Sequence, residues 1–374
     1  MLSNIILNQN QKDKNQNNTE LLKLNKLLND ELNKINIKIT IIKIIGKGSY
    51  GTIFLAKYNN NNIVLKIIKL EKKDNVLFDL NKKEYLYEMN THMNLHHLNI
   101  IKSFLNISFE NNNINYFVIF QYWANFKDLS KLIYNIQKKN IYNIINNTKN
   151  FTFIFYLSEI LIKYIIIQIF NGIFCFHEHN IIHCDIKPNN ILVHNFKMMI
   201  TDFSRIIPFQ KTKYTYIKFG SKKYSPIESY FRETLTCNVV KVDYFSIGCI
   251  LYEMLTTELL INKDIEEQSK DKYINFYKII YKGINNLKKL DEIKRINYSK
   301  NFINFIIGLI IPDQSLRFGF KEVIEYLFMD NDNKTIKDIY NINRNEKGLK
   351  LFIELQKDTK NLIKYKKRTK YVLN

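Results

Sequence analysis

Residues Ile182 to Val193, which read I-H-C-D-I-K-P-N-N-I-L-V, carry side chains whose types and spacing suit catalysis. Asp185 and Asn190 offer two oxygen ligands, Lys187 offers a cation, and the proline between them favours a turn. An isolated H-x-D is a weak signal, whereas the whole pattern is hard to obtain by chance. Aliphatic residues on both sides predict buried supports, so we interpret the segment as a catalytic loop.

A glycine-rich segment lies far upstream, from Gly46 to Gly51, with the spacing G-x-G-x-x-G. This spacing also fits a dinucleotide-binding turn, which requires a helix directly after the glycines. Here the apolar stretches 53–55 and 63–65 flank an Asn-rich turn, which predicts a β-hairpin instead. We therefore predict a glycine flap whose backbone N–H groups approach phosphates, with Tyr50 at its tip shielding the reacting group from water.

Together the motifs resemble those of eukaryotic-type protein kinases, over roughly residues 38–330 and in the family's order. Asp202-Phe-Ser204 follows the loop where the family has D-F-G, and G-S-K-K-Y-S-P-I-E, ending at Glu228, matches G-T-R-W-Y-R-A-P-E. The segment D-Y-F-S-I-G-C from Asp243 resembles D-x-W-S-x-G-C, and D-Q-S-L-R, ending at Arg317, resembles D-P-x-x-R.

The resemblance implies the bilobal protein kinase fold, of class α+β, in which a small antiparallel β lobe with one helix accompanies a larger, mainly helical lobe. We expect the kinase domain at 38–330, with an N-lobe at 38–120, a C-lobe at 121–330 and an insertion at about 135–155. A low-complexity extension at 1–37 precedes it, and a basic tail at 331–374 follows. Leucines at helical spacing make the extension either a flexible tail or one docking helix.

The catalytic roles also follow from the resemblance. Asp185 would accept the proton of the substrate hydroxyl, Lys187 would support the γ-phosphate, and Asn190 and Asp202 would hold Mg²⁺, with Mn²⁺ as an alternative. Lys66, at the end of Ile-Val-Leu-Lys, would grip the α- and β-phosphates of ATP.

Two glutamates one turn apart, Glu84 and Glu88, could each pair with Lys66. We prefer Glu88, because His97-Leu-Asn-Ile100 resembles the family's H-P-N-I and the usual separation from that phrase ends there.

The predicted nucleotide site comprises the glycine flap, apolar residues around the base, and a buried strand from Tyr116 that leads into a connection offering backbone groups to adenine. Its residues are Gly46, Lys47, Gly48, Ser49, Tyr50, Gly51, Ile53, Val64, Lys66, Phe120, Gln121, Trp123 and Leu192.

Three further residues are expected to be structural. Glu228 and Arg317 would form a buried ion pair, and Asp243 would begin the central helix of the C-lobe. Tyr216, the second tyrosine of Tyr-Thr-Tyr in the activation segment, resembles the autophosphorylated tyrosine of the dual-specificity tyrosine-regulated kinases, so it is a regulatory candidate.

Composition sets outer limits on function. The chain has 374 residues, and 46% of them are hydrophobic. Its formal charge of +21 favours acidic partners, unless the charged side chains only cover a solvated surface. Because lysine is spread along the chain, we favour solvated surface and expect no specific nucleic acid partner. Four cysteines without C-x-x-C spacing indicate a reduced intracellular compartment, cytoplasmic or nuclear.

The apolar run from Phe151 to Phe176 is long enough to span a bilayer. Glu159, Lys163 and Gln168 interrupt it at depths where polar groups are costly, so we predict one long buried core helix and no membrane span. Neither a basic region nor a cleavage site accompanies the first apolar residues, so no signal peptide is predicted.

We therefore predict a monomeric protein kinase that uses ATP and acts on serine or threonine of proteins, since Lys187 resembles the Ser/Thr branch. The alternatives are a pseudokinase scaffold, motivated by Ser204, Cys184 and Pro226-Ile227, a small-molecule kinase, and a basic adaptor.

Overall fold

A computed structural model describes residues 21–48, 51–73, 75–124, 128–135, 151–194, 197–209, 220–230, 239–262, 271–290, 298–329 and 362–368, with the backbone alone at 151–156, 230, 272, 328–329 and 362–368. The chain divides into two compact units, one of residues 1–96 and 101–123 and the other of residues 97–100 and 124–374. The main division follows Trp123, three residues beyond the lobe boundary expected at residue 120.

The first unit is built on a five-stranded sheet, in which all the pairings are antiparallel and the order is β1-β2-β3-β5-β4. Its strands are β1 (Thr40–Gly48), β2 (Gly51–Tyr58), β3 (Asn61–Glu71), β4 (Ser103–Asn111) and β5 (Ile114–Tyr122). Among the residues of this unit that the structure describes, two α-helices accompany the sheet, α1 (residues 21–32) and α2 (Val76–Asn94). The glycine segment therefore lies in a β-hairpin, as predicted, and no helix follows it directly.

Successive side chains of β5 lie on alternate faces of this sheet. Tyr116, Val118 and Phe120 lie in one buried cluster with α1, while Phe117 and Ile119 lie in another with Met89 of α2. Successive side chains of a strand point to opposite faces, so both faces of β5 are covered.

Helix α1 belongs to the core of the first unit. Leu24, Leu28 and Leu32, spaced four residues apart, are buried against the sheet. Asn25 and Asn29 hold the chain leading into β1: Asn25 Oδ1 accepts from the Ile41 N–H at 2.9 Å, and the Asn29 amide accepts from the N–H and donates to the carbonyl of Ile39. The N-terminal segment was predicted to be either a flexible tail or one docking helix, and residues 21–32 form a docking helix.

The second unit is mainly helical. Its helices are α3 (residues 129–135), α4 (Glu159–Glu178), α5 (Ile227–Tyr230), α6 (Lys241–Thr256), α7 (Lys272–Lys288), α8 (Lys300–Ile310) and α9 (Phe320–Ile324). A π-helical turn, Glu325–Met329, follows α9. Its strands are β6 (Phe151–Leu157), β7 (Ile181–Ile182), β8 (Ile191–His194), β9 (Lys197–Ile200), β10 (Ile207–Pro208) and β11 (Leu362–Arg368). They form three antiparallel pairs, β7 with β10, β8 with β9, and β6 with β11.

The prediction of one helix from Phe151 to Phe176 was wrong at its start. Residues Phe151–Leu157 form β6, and α4 begins only at Glu159, where Ser158 Oγ accepts from the Leu161 N–H. Aromatic and β-branched residues in this stretch favour a strand. Ser158 follows the strand and caps the N-terminus of α4. Helix α4 is long and apolar enough to cross a membrane, yet 61% of its most apolar window is buried inside the second unit. It is therefore better described as a core helix.

The strand β11 lies within the sequence expected to be a basic tail, and it pairs with β6 in antiparallel register from Leu362 opposite Leu157 to Arg368 opposite Phe151. The expected insertion at 135–155 contributes the first part of β6. Most of its other residues, and most of the tail, lie outside the described residues.

Candidate active site

The carboxylate of Asp185 lies at the centre of a polar cluster in the second unit. Lys187 Nζ donates to its Oδ2 at 2.7 Å, and Asn190 Nδ2 donates to the same oxygen at 3.0 Å. Ser221 donates to Oδ1 through both its backbone N–H and its hydroxyl, each at 2.8 Å. The structure thus brings together three residues that the sequence predicted as one group, and it adds Ser221, which the sequence analysis did not assign to the site.

A glycine makes the contact with Ser221 possible. A Cβ at Gly220 would lie 2.1 Å from the carbonyl oxygen of Cys184, so only glycine fits between the catalytic loop and the activation segment. In the sequence, the Gly-Ser pair that opens the segment 220–228 could have indicated this contact. It places a residue without a side chain next to a small hydroxyl donor.

Asp243, at the start of α6, holds the backbone of the catalytic loop. It accepts from the N–H of His183 at 3.0 Å, from the N–H of Cys184 at 2.9 Å, and pairs with His177 Nε2 at 2.9 Å. Burial alone would raise the pKa of Asp243, but the His177 contact and the donated N–H group of His183 lower it below its ordinary value. The ionised carboxylate therefore fixes the turn at Cys184, whose φ is +63°.

His183 is buried among the same groups, and burial lowers its pKa despite the nearby carboxylates of Asp243, Asp185 and Asp202. Its Nδ1 accepts from the Asp185 N–H at 3.3 Å, and its Nε2 lies 3.2 Å from the Thr201 carbonyl. This pattern requires the neutral ring with the proton on Nε2.

The predicted metal ligands, Asn190 and Asp202, lie at the same end of one hairpin. Ile191 of β8 pairs with Ile200 of β9, and the Thr201 N–H donates to the Asn190 carbonyl at 3.0 Å. Asn190 Nδ2 donates to two oxygens of Asp185, so its Oδ1 is the amide atom available for a cation.

A carboxylate and an amide oxygen are ligands that suit Mg²⁺, which also takes oxygens from a bound phosphate. Among the described residues, no group of three or more His, Cys, Asp or Glu is placed to hold a metal by itself. The residues present therefore fit a cation that a nucleotide phosphate helps to bind.

Ser204 replaces the glycine that the family places after this Asp-Phe pair. The positive φ in the turn belongs to Asp202, at +64°, and Ser204 is not among the residues with positive φ. Serine therefore fits the backbone conformation seen here without strain.

In the first unit, Lys66 of β3 forms an ion pair with Glu88 of α2, with 2.6 Å between Nζ and Oε1. The two residues are 6% and 1% exposed, so this is a buried charge pair, whereas Glu84 is exposed. Burial of one charge without its partner would be costly, which ties the lysine to the helix.

The predicted nucleotide-site residues of the first unit lie along its strands. Gly46, Lys47 and Gly48 end β1, and Gly51 begins β2 opposite Gly48. Gly51 has a φ of +147°, and a Cβ there would lie 2.8 Å from the Ile67 carbonyl, so glycine is required. Ser49 and Tyr50 lie outside the described residues.

The remaining residues of the predicted nucleotide site lie in four strands, β2, β3, β5 and β8, and at the position directly after β5. Ile53 is opposite Lys66, Val64 pairs with Gln121, Phe120 is 1% exposed, and Trp123 directly follows β5. Leu192 belongs to the second unit, in β8.

A second buried ion pair joins Glu228 of α5 to Arg317, as the motifs predicted. The guanidinium donates to both carboxylate oxygens, with 3.2 Å between Nη2 and Oε2. Its other donors meet the carbonyls of Ile311 and Pro312, and Arg317 lies over the Phe245 ring. Tyr216 lies outside the described residues.

The sequence matches one protein family over most of its length. The profile of the protein kinase domain matches residues 39–329. An Aurora kinase of Eremothecium gossypii is 24% identical over 241 residues, which are 63% of this chain and 57% of that protein. An Aurora kinase of Yarrowia lipolytica is 27% identical over 57% of this chain and 50% of its own length. Calcium-dependent protein kinase 4 of Plasmodium falciparum is 30% identical over 58% of this chain and 37% of its own length.

The chain thus matches only about a third to just over half the length of these relatives. The narrower resemblance to dual-specificity tyrosine-regulated kinases stays a prediction. Because the family profile covers most of the chain and its motifs occupy the described site, the chain belongs to the protein kinase family, within the eukaryotic-type serine/threonine superfamily.

Proposed function

We propose that this protein transfers the γ-phosphate of ATP to serine or threonine hydroxyls of other proteins. The observation that carries the proposal is the Asp185 cluster, in which hydrogen bonds from Ser221, Lys187 and Asn190 fix the carboxylate. A carboxylate held in this way can accept the proton of an incoming hydroxyl, and Lys187 supplies positive charge beside it. The reaction needs positioning and charge stabilisation more than covalent participation by the protein.

The other residues divide the work of holding ATP. Lys66, fixed by Glu88, binds phosphate oxygens, and the glycine flap contributes backbone N–H groups. Asn190 and Asp202 would hold Mg²⁺, which when bound supplies charge stabilisation to the β- and γ-phosphates. Apolar side chains at Ile53 and Val64 in the first unit suit an aromatic base.

The alternative is a scaffold that binds nucleotide without turnover, suggested by Ser204, Cys184 and Pro226. These departures remove no ligand. Ser204 fits its backbone conformation, and the Cys184 N–H is held by Asp243. The loss of an arginine at Cys184 removes a phosphate-binding fork, which affects switching by a phosphorylated loop rather than the transfer step.

A direct test is to incubate the purified full chain with labelled ATP, Mg²⁺ and a mixed-peptide substrate, and then to identify the labelled amino acids. Label on serine and threonine is the expected result. Asp185→Asn should lower the rate by about 10²- to 10⁴-fold, because proton acceptance is lost. Asp79→Asn, which changes an exposed carboxylate of α2, is the matched control and should keep the rate. Nucleotide binding without transfer by the unaltered chain would favour the scaffold.

We also propose that Tyr216 is phosphorylated in cis during maturation. The support is the Tyr-Thr-Tyr sequence before Gly220, and the lysines at 211, 213, 218, 222 and 223, which could neutralise the added charge. Intact-mass and peptide mass spectrometry of the chain made in bacteria should find phosphate on Tyr216, and should find none on the Asp185→Asn variant. An active enzyme without this phosphate would refute the proposal.

A further inference from the structure

One face of the sheet in the first unit carries the residues proposed to bind the nucleotide. In the antiparallel register, Ile53 of β2 lies opposite Lys66 of β3, and Lys66 lies opposite Ile119 of β5. Val64 lies opposite Gln121 in the same register. Directly opposed residues of neighbouring strands point to the same face, and so do residues two apart along one strand. The side chains of Lys66, Val64 and Gln121 therefore share one face.

Phe120, although it is among the predicted nucleotide-site residues, points to the opposite face. It belongs to the buried cluster that packs against α1, and its ring meets the ring of Phe104 edge-on, with 6.0 Å between the centroids. A strand residue cannot present its side chain to both faces. Near the end of β5, it is therefore the side chain of Gln121 that lies on the face of Lys66.

The side-chain amide of Gln121 is buried. The residue is 6% exposed, and among the residues that the structure describes, none forms a hydrogen bond with its side chain. Ser103, opposite it in β4, has its hydroxyl 3.2 Å from His92 Nδ1 instead. Buried amides are nearly always hydrogen-bonded, so an amide that is held by no neighbour indicates a ligand group. Val64 is only half-buried, which leaves this part of the face accessible to a ligand.

We propose that the side-chain amide of Gln121 hydrogen-bonds the substituent at position 6 of the purine base, and that it admits 6-oxo as well as 6-amino purine nucleotides. The inference rests on the proposed use of ATP and names the class of nucleotide that the site accepts.

The position and the chemistry of Gln121 both support this role. Val64 is one of the apolar residues that suit the base, and the Cβ atoms of directly opposed residues are only about 5 Å apart. The amide of Gln121 can therefore reach the edge of a base that contacts Val64. A primary amide carries an acceptor oxygen and a donor NH₂ group, so rotation of the amide lets it accept from a 6-amino group or donate to a 6-oxo group.

The test measures binding to the full chain by displacement of a ribose-labelled fluorescent ATP analogue, so it does not depend on phosphoryl transfer. The competing nucleotides differ chiefly at position 6 of the purine: ATP has an amino group, inosine triphosphate has an oxo group, and purine riboside triphosphate has only hydrogen. ATP and inosine triphosphate should bind with Kd values within about tenfold of each other, because one hydrogen bond to the amide replaces another.

Gln121→Met keeps the length of the side chain and removes the amide. It should weaken the binding of ATP and of inosine triphosphate by about 2- to 13-fold, the range for one net hydrogen bond, and should leave purine riboside triphosphate unchanged. The matched control is Asn115→Leu, which removes a buried amide from the same face at the other end of β5, where Asn115 lies opposite Leu70. It should change none of the three affinities.

The outcomes separate this inference from the proposed function. Equal weakening of all three nucleotides in Gln121→Met, with an unchanged melting temperature, would overturn the inference, because the side chain would then shape the site without recognising the base. A larger difference between ATP and inosine triphosphate in the unaltered chain would also overturn it. If Gln121→Met melts early, Gln121→Leu takes its place in the same comparison. No displacement by any nucleotide would remove the proposed function as well, whereas selective loss in a chain that transfers no phosphate would remove only the transfer.

Discussion

The buried face of α1 makes a quantitative prediction about the first unit. Leu28 is fully buried against the sheet, so Leu28→Ala removes packed methyl groups and leaves a cavity. Such changes in a core lower the free energy of unfolding by about 2–5 kcal/mol. Leu22, on the same helix, is 71% exposed, and Leu22→Ala should change it by less than about 0.5 kcal/mol.

Urea unfolding followed by tryptophan fluorescence is a suitable assay. The chain has one tryptophan, Trp123, which follows β5 in the first unit, so its emission reports on that unit. Leu28→Ala should lower the midpoint without a large change in slope, because stability rather than exposed surface is altered.

An independent variant checks the same contact through hydrogen bonds. Asn29→Ala removes the acceptor of the buried Ile39 N–H and the donor to its carbonyl, and an unpaired buried backbone group costs about 1–3 kcal/mol. If Leu28→Ala and Leu22→Ala have the same midpoint, α1 does not contribute to the core of the first unit, and the packing argument is refuted.

Three further predictions concern the second unit. Arg317→Met should lower the free energy of unfolding by about 3–5 kcal/mol, since Glu228 stays buried without its partner, and thermal melting measures the loss. Gly220→Ala should lower kcat more than tenfold, because the added Cβ collides with the Cys184 carbonyl and displaces Ser221 from Asp185; a variant with normal kcat would contradict the role of the close contact. His183 has a lowered pKa when folded, so its contribution to stability is present above the unfolded pKa of about 6.5 and is lost as the pH falls towards the folded pKa. Melting temperature should therefore fall between pH 7.5 and 5.5, and the fall should be smaller in His183→Asn; identical profiles would exclude His183 as the cause.

The sequence by itself determined those features of the site whose residues are close together in the chain. Asp185, Lys187 and Asn190 lie within six residues, so a single turn has to bring their side chains together. The glycine hairpin, the buried strand β5 and the buried Glu228–Arg317 pair could also be predicted, the first two from local patterns and the pair from motifs.

Tertiary structure decided the contacts that join distant segments. Ser221 reaches Asp185 across 36 residues, and Asp243 holds the loop from about 60 residues away. Leucine spacing in the N-terminal segment predicted a helix or a tail equally well, and only the apolar face of the sheet gives that helix a place to bury its leucines. The start of α4 was missed because an aromatic and aliphatic run suits a strand and a buried helix alike, until the pairing of β6 with β11 and the Ser158 cap separate the two.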